Sequence, residues 1–192
     1  MDRTLSAASD IRVLCPLGTD LHGTGGVAPT DDVTIRRFPM CVPKPVPATG
    51  FSGQVALVGY LTPTGSRYYD PPCLGLDELV MARVDRGRIT GFEGGERDVR
   101  RVESHYARIA ETFSIDPTVV HSWHAGIHAG CDPTMPVAPD PDRWSNSVFG
   151  SPSYLHLHTC GDYAPGEICW MVANPTVVAD GVTVWDHGRL AV

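Results

Sequence analysis

The chain has 192 residues, of which 42% are hydrophobic and 19% charged, enough for one folded core with no disulfide or metal staple and too apolar for a disordered segment. Fifteen basic against 22 acidic side chains give a net charge of -7, which argues against nucleic acid or an anionic membrane surface as a partner, since both require clustered cations. Twenty Gly and 17 Pro imply many turns and argue against a helix bundle.

Residues 1–50 are weakly patterned and read as an extended N-terminal arm or lead-in lying on the domain. Leu21 to Gly26 is a flexible turn region, and Val33 to Phe38 alternates as a short strand. Pro43, Pro45 and Pro47 at alternate positions impose extended backbone. Residues 51–192 carry the domain. Gln54 to Leu61 is a buried-strand candidate. Leu79 to Val84 and Arg88 to Phe92 flank Asp85-Arg86-Gly87, which is hairpin chemistry. Beyond Gly94-Gly95 the period changes: Val99, Val102, Tyr106, Ile109, Ala110 and Phe113 line one face of a helix over about 97–114, with Arg97, Arg100, Arg101, Glu103, His105 and Arg108 on the others. A strand follows at Val119 to His128, then a Pro-rich loop from Cys131 to Asp142 and a helical turn or two over Asp142 to Phe149. Tyr154 to His158 alternates as a strand. Ile168 to Val172 is apolar throughout, as a strand buried on both faces should be. Thr176 to Ala179, Asp180-Gly181 and Val182 to Trp185 form a terminal hairpin. The fold class is therefore α+β: mixed, largely antiparallel β-sheets with one principal helix.

No run of about 18 apolar residues marks a membrane span, and Met1 to Asp10 lack the apolar stretch of an export signal. The six cysteines (Cys15, Cys41, Cys73, Cys131, Cys160 and Cys169) show no Cys-x-x-Cys pair and are expected as free thiols in a cytoplasmic protein.

Five of the eight His lie between positions 121 and 158. On a strand, His156 and His158 share a face, and so do His124 and His128 if Val119 to His128 is extended, while His121 points the other way. Four imidazoles on neighbouring strands can hold Zn or non-haem Fe; for iron a carboxylate usually joins them, and Asp132, Asp162 and Glu167 are nearest in sequence. The alternative is a polar core or a metal-free pocket. Cys160, close to two His, is a conceivable nucleophile and more simply a buried thiol. Trp123, Trp144, Phe149, Tyr154, Tyr163 and Trp170 either pack the core or wall a pocket.

Glu78 to Gly95, a strand–turn–strand ending in a double Gly, together with the following helix and the terminal Asn174-Pro175-Thr176-Val177-Val178-Ala179-Asp180-Gly181, resembles the C-terminal, metal-bearing domain of the M29 aminopeptidase and 2,5-dihydroxypyridine dioxygenase superfamily. The resemblance covers roughly residues 50–192. It departs in two respects. The N-terminal α/β domain that completes the family's cleft has no counterpart in these residues. The family's His-x-Asp metal pair, counted back from Asp180, falls on Glu167 to Met171, which has neither His nor Asp. Truncated relatives accompany ribosomal-peptide natural-product pathways such as crocagin biosynthesis. The resemblance thus implies a non-catalytic protein that binds a peptide or biosynthetic intermediate, with Trp123, His124, His128, Tyr154, His156 and Trp170 as ligand-binding residues, no catalytic residue, no cofactor and a possible homodimer. Its alternative is a metal-dependent dioxygenase or hydrolase that uses Fe or Zn on His124, His128, His156 and His158.

Overall fold

A computed structural model of the chain describes residues 1–27, 44–57, 59–63, 68–137, 139–161 and 165–192. The strand expected at Val33 to Phe38, together with Cys41, Asp162 and Tyr163, lies outside them. After a short helix α1 (Asp2–Ala7), strands β1 (Ile11–Leu14), β2 (Asp20–Gly23), β3 (Val46–Pro47), β4 (Ser52–Leu57), β5 (Tyr60–Leu61), β6 (Leu74–Gly75), β7 (Val80–Asp85) and β8 (Arg88–Gly94) lead into helix α2 (Glu96–Phe113). Then come β9 (Val120–Ala125), α3 (Pro141–Val148), β10 (Tyr154–Cys160), β11 (Glu167–Ala173), β12 (Thr176–Ala179), β13 (Val182–Asp186) and β14 (Arg189–Leu190). The fold is α+β, and every pairing between the described strands is antiparallel.

An eight-stranded sheet runs β14-β13-β12-β1-β2-β4-β7-β8, and a four-stranded sheet runs β11-β10-β9-β3. The two sheets share one core. Trp123 of the smaller sheet meets Phe51 edge-on at 6.1 Å, and Trp170 meets Phe92 at 6.4 Å. Trp185 of the larger sheet donates its indole N–H to the Gly126 carbonyl at 2.9 Å. The described part of residues 1–50, expected as an arm lying on the domain, is built into it. Ile11 and Val13 of β1 and Leu21 of β2 are fully buried, and β1 sits between β12 and β2 in the interior of the large sheet. At four residues each, these strands are too short for alternation to stand out between Pro- and Gly-rich flanks.

Local chemistry sets the hairpins. Arg86 and Gly87 between β7 and β8, and Asp180 and Gly181 between β12 and β13, all have positive φ, the two-residue turn whose twist matches its strands. The same turn at His187-Gly188 adds the short strand β14. The principal helix spans Glu96–Phe113 and ends where Ser114 turns left-handed, its N–H bonded to the Ala110 carbonyl. Val102, Tyr106 and Ile109 form its buried face, each worth about 1.5–3 kcal/mol of apolar burial. His105, placed off the apolar face by periodicity, is buried instead, and so is Asp98. Asp98 accepts the backbone N–H groups of Asp77 and Glu78, and His105 lies edge-on to Tyr69.

Candidate functional site

The smaller sheet has one face against the larger sheet and the other beneath α3. Side chains alternate along a strand, so β10 sends Leu155 and Leu157 into the inter-sheet core and His156 and His158 toward α3. On β11, opposite, Trp170 pairs with Leu157, while Met171 pairs with His156 and Cys169 with His158. On β9, His124 stands directly across from His156. This register gathers His124, His156 and His158 on the α3 face, with metal-ligating atoms all within 4.8 Å of one another.

Glu167 completes the group. Its carboxylate closely contacts Nδ1 of His158, and both side chains are buried. A carboxylate only accepts, so His158 donates through Nδ1–H and presents Nε2 as an acceptor in its neutral form. The Nε2 of His124, 2.8 Å away, is then the donor of that pair. His156 is fully buried between His124, at 4.0 Å between ring centroids, and Phe149 of the α3 end, at 4.4 Å. Neither of its ring nitrogens has a hydrogen-bond partner among the described residues. Burial, then the adjacent His124 and His158, hold its pKa far below the ordinary value, so the ring is neutral. An unpaired polar group in such a place costs about 1–3 kcal/mol.

The three imidazoles can hold a divalent metal ion. They do not form the two-His, one-carboxylate set usual for non-haem iron, because Glu167 is turned onto His158 rather than toward the three facing nitrogens. Of the two carboxylates named from the sequence that lie among the described residues, Glu167 meets the cluster and Asp132 accepts the Ser151 hydroxyl.

The expected ligand-binding set separates. His128 lies past the end of β9, where the chain leaves the sheet to follow Gly150, and its Nδ1 accepts the Gly130 N–H at 2.9 Å, capping a single turn of 3-10 helix. It is not among the three clustered imidazoles. Trp123 and Trp170 cannot wall a pocket with the His: each is next to or between α3-facing residues in sequence, points to the opposite face, and is fully buried between the sheets. Tyr154 does lie on the α3 face, half-buried, against Trp144 at 5.4 Å. Trp144 and Phe149, two of the aromatics expected to pack or to wall a pocket, form with Val148 an apolar cover on Cys169 and Met171, an arrangement that the sequence did not reveal. The Cys160 thiol is pushed up to about 11, chiefly by burial, which keeps it protonated and unsuited to nucleophilic attack.

No known protein family matches the sequence, and no curated protein does. Among solved structures, the chain is similar to 2,5-dihydroxypyridine dioxygenase from Pseudomonas putida KT2440, with a TM-score of 0.74 and 13% identity over 99% of this chain and 57% of that one. It is also similar to AmpT from Thermus thermophilus, with a TM-score of 0.51 and 15% identity over 96% of this chain and 50% of that one. The chain therefore spans about half the length of the structures it matches, and at these identities the likeness is one of fold.

Proposed function

We propose that this chain is a non-catalytic protein of dioxygenase-like fold that binds a peptide or a small biosynthetic intermediate, in support of peptide natural-product formation. The observation that carries this reading is the content of β11. Where the resemblance would put a His-x-Asp metal pair stand Ile168, Cys169, Trp170 and Met171, all fully buried. Cys169 and Met171 meet Trp144, Val148 and Phe149, so these positions offer neither the His nor the Asp of that pair; the donors left in this stretch are the Glu167 carboxylate and the Cys169 thiol beside His158. The binding surface is not the Trp-walled pocket expected from the sequence. The outer edge of β8 beyond Ile89 is the better candidate: β8 ends the large sheet, and its first two residues, Arg88 and Ile89, already pair with Val119 and Thr118. A peptide added there as a further strand gains main-chain hydrogen bonds without deforming the domain.

Calorimetric titration with a panel of short extended peptides tests this. A saturable heat is expected, lost when the bound peptide is N-methylated along its backbone. Oxygen uptake with 2,5-dihydroxypyridine, or peptide cleavage, by the purified chain would overturn the non-catalytic reading.

A metal-dependent dioxygenase or hydrolase is the second reading, favoured by the convergence of His124, His156 and His158. A bound ion would supply Lewis acidity there. Against it, His156 and His158 are buried and Phe149 lies over His156, so this chain's own residues exclude solvent and leave a substrate little approach.

A further inference from the structure

We infer that His124, His156 and His158 form a site for one zinc(II) ion that braces β9, β10 and the α3 cover, with Glu167 as the outer carboxylate that orients His158. The inference depends on neither functional reading above, because a bracing ion requires no substrate.

Four observations converge on it. The three donor atoms lie within 4.8 Å of one another on two adjacent strands, with His124 and His156 directly across the pairing. His156 is fully buried, and both of its ring nitrogens lack a hydrogen-bond partner among the described residues. A fold that meant this position to be inert would place an apolar side chain here, as it does at Leu155 and Leu157 on the same strand. Glu167 holds Nδ1 of His158, which directs Nε2 of that ring toward His124; a carboxylate behind a ligating imidazole is the usual outer partner of a metal-bound His. Finally, Phe149 covers His156, with Met171 across from it in register, giving a dry wall on that side.

The donor chemistry selects the ion. All three donors are imidazoles, which suit zinc and exclude the oxygen-seeking calcium and magnesium. Iron(II) binds such sites less tightly than zinc and usually takes a carboxylate as well. Ligand nitrogens on a tetrahedral zinc stand about 3.3 Å apart. The 2.8 Å between the Nε2 atoms of His124 and His158 therefore requires these rings to open by about half an ångström, a side-chain adjustment that leaves the strand register unchanged.

The test uses the full chain, stripped with a chelator and titrated with Co(II) and, in parallel, Zn(II). The expected result is one equivalent bound, the visible absorption of nitrogen-ligated tetrahedral Co(II), its displacement by zinc, and a higher melting temperature with metal. His156→Ala should abolish the Co(II) band. His124→Ala, at a half-buried position less demanding of the fold, should abolish it too in a protein whose circular dichroism is unchanged. Glu167→Gln should lower affinity roughly 10–100-fold. His187→Ala, an exposed ring paired with Asp186, should leave it unchanged. A folded wild-type chain with no Co(II) band, or a band that survives in His124→Ala, overturns the inference. Peptide titration is read separately: a chain that takes zinc and no peptide keeps this site and removes the peptide reading, and the converse result does the reverse.

Discussion

At the scale of single residues, polar side chains in this core matter through what they leave unpaired. Trp170 donates its indole N–H to the Tyr106 hydroxyl at 2.6 Å, Tyr106 closely contacts the Thr159 hydroxyl, and Thr159 donates to the Ile168 carbonyl at 2.7 Å. The chain of donors joins α2 to β10 and β11 inside the apolar layer. Tyr106→Phe removes one oxygen and orphans the Trp170 N–H, so a loss of about 1–3 kcal/mol is expected in urea unfolding. Tyr106→Leu should cost more, because it also leaves a cavity. His105 offers a pH-dependent case away from the His cluster. Burial, assisted by the positive charge of Arg108, lowers its pKa to about 4. Between that value and the ordinary 6.5 the unfolded chain binds the proton and the folded one does not. The stability contribution is therefore complete above about pH 6.5 and is lost as the pH falls toward 4, a change of about 3 kcal/mol. Urea midpoints at pH 7 and pH 4.5 should converge in His105→Phe relative to wild type. An unchanged pH dependence would refute this assignment.

At the scale of elements, turns and helix ends follow backbone geometry more than side-chain contact. Ser114 closes α2 in the left-handed region with φ 54. Glycine takes that conformation without the Cβ penalty, so Ser114→Gly should stabilise the protein by roughly 0.5–1 kcal/mol, read as a higher urea midpoint at unchanged slope. The opposite end of the problem is β9. It leaves its sheet at Gly126, where an added Cβ would lie against the Gly150 backbone. That close approach carries His128 away from His124 and divides a run of residues that reads as one strand. The α3 helix begins with Asp140 accepting the Arg143 N–H ahead of Pro141. It is short, and its value to the molecule lies in the cover that Trp144, Val148 and Phe149 lay over β10 and β11.

At the scale of the whole molecule, the first residues are structural members. β1 bridges β12 and β2, and the Asp180 carboxylate accepts from the backbone of Ser9 and Asp10 and from the Ser9 hydroxyl, tying the N-terminal segment to the last hairpin. The Asp-Gly pair that marks a turn in the sequence thus also anchors a distant segment. Removing residues 1–25 deletes two interior strands and opens two new sheet edges, so the truncated chain is expected to aggregate or to lose cooperative unfolding, checked by size-exclusion chromatography and thermal melts. An arm merely lying on the domain would be removable at little cost. None of the described helices is long and apolar enough to cross a membrane.

The elements that the sequence made legible are those with a strong local signal: the 3.6-residue period of α2, the two hairpins built on Asp-Arg-Gly and Asp-Gly, and the uninterrupted apolar run of β11. Each depends on neighbours within a few positions, where propensity and patterning act. The same local signals supported the likeness of fold to the dioxygenase, and the His-x-His of β10 placed two of the three clustered imidazoles. The remaining decisions came from contacts between residues far apart in the chain. Register across β9 and β10 put His124 with His156 and sent the adjacent Trp123 into the core. Register across β10 and β11 brought Glu167 to His158, nine positions away, and set Cys169 and Met171 beneath α3. One residue's shift in any of these pairings would reverse every face. The sequence by itself determined the elements with strong local patterning, α2, its preceding hairpin, β11 and the terminal hairpin; only the packing of two sheets and a covering helix decided that β1 and β2 are interior strands, that three histidines meet and that the tryptophans do not join them.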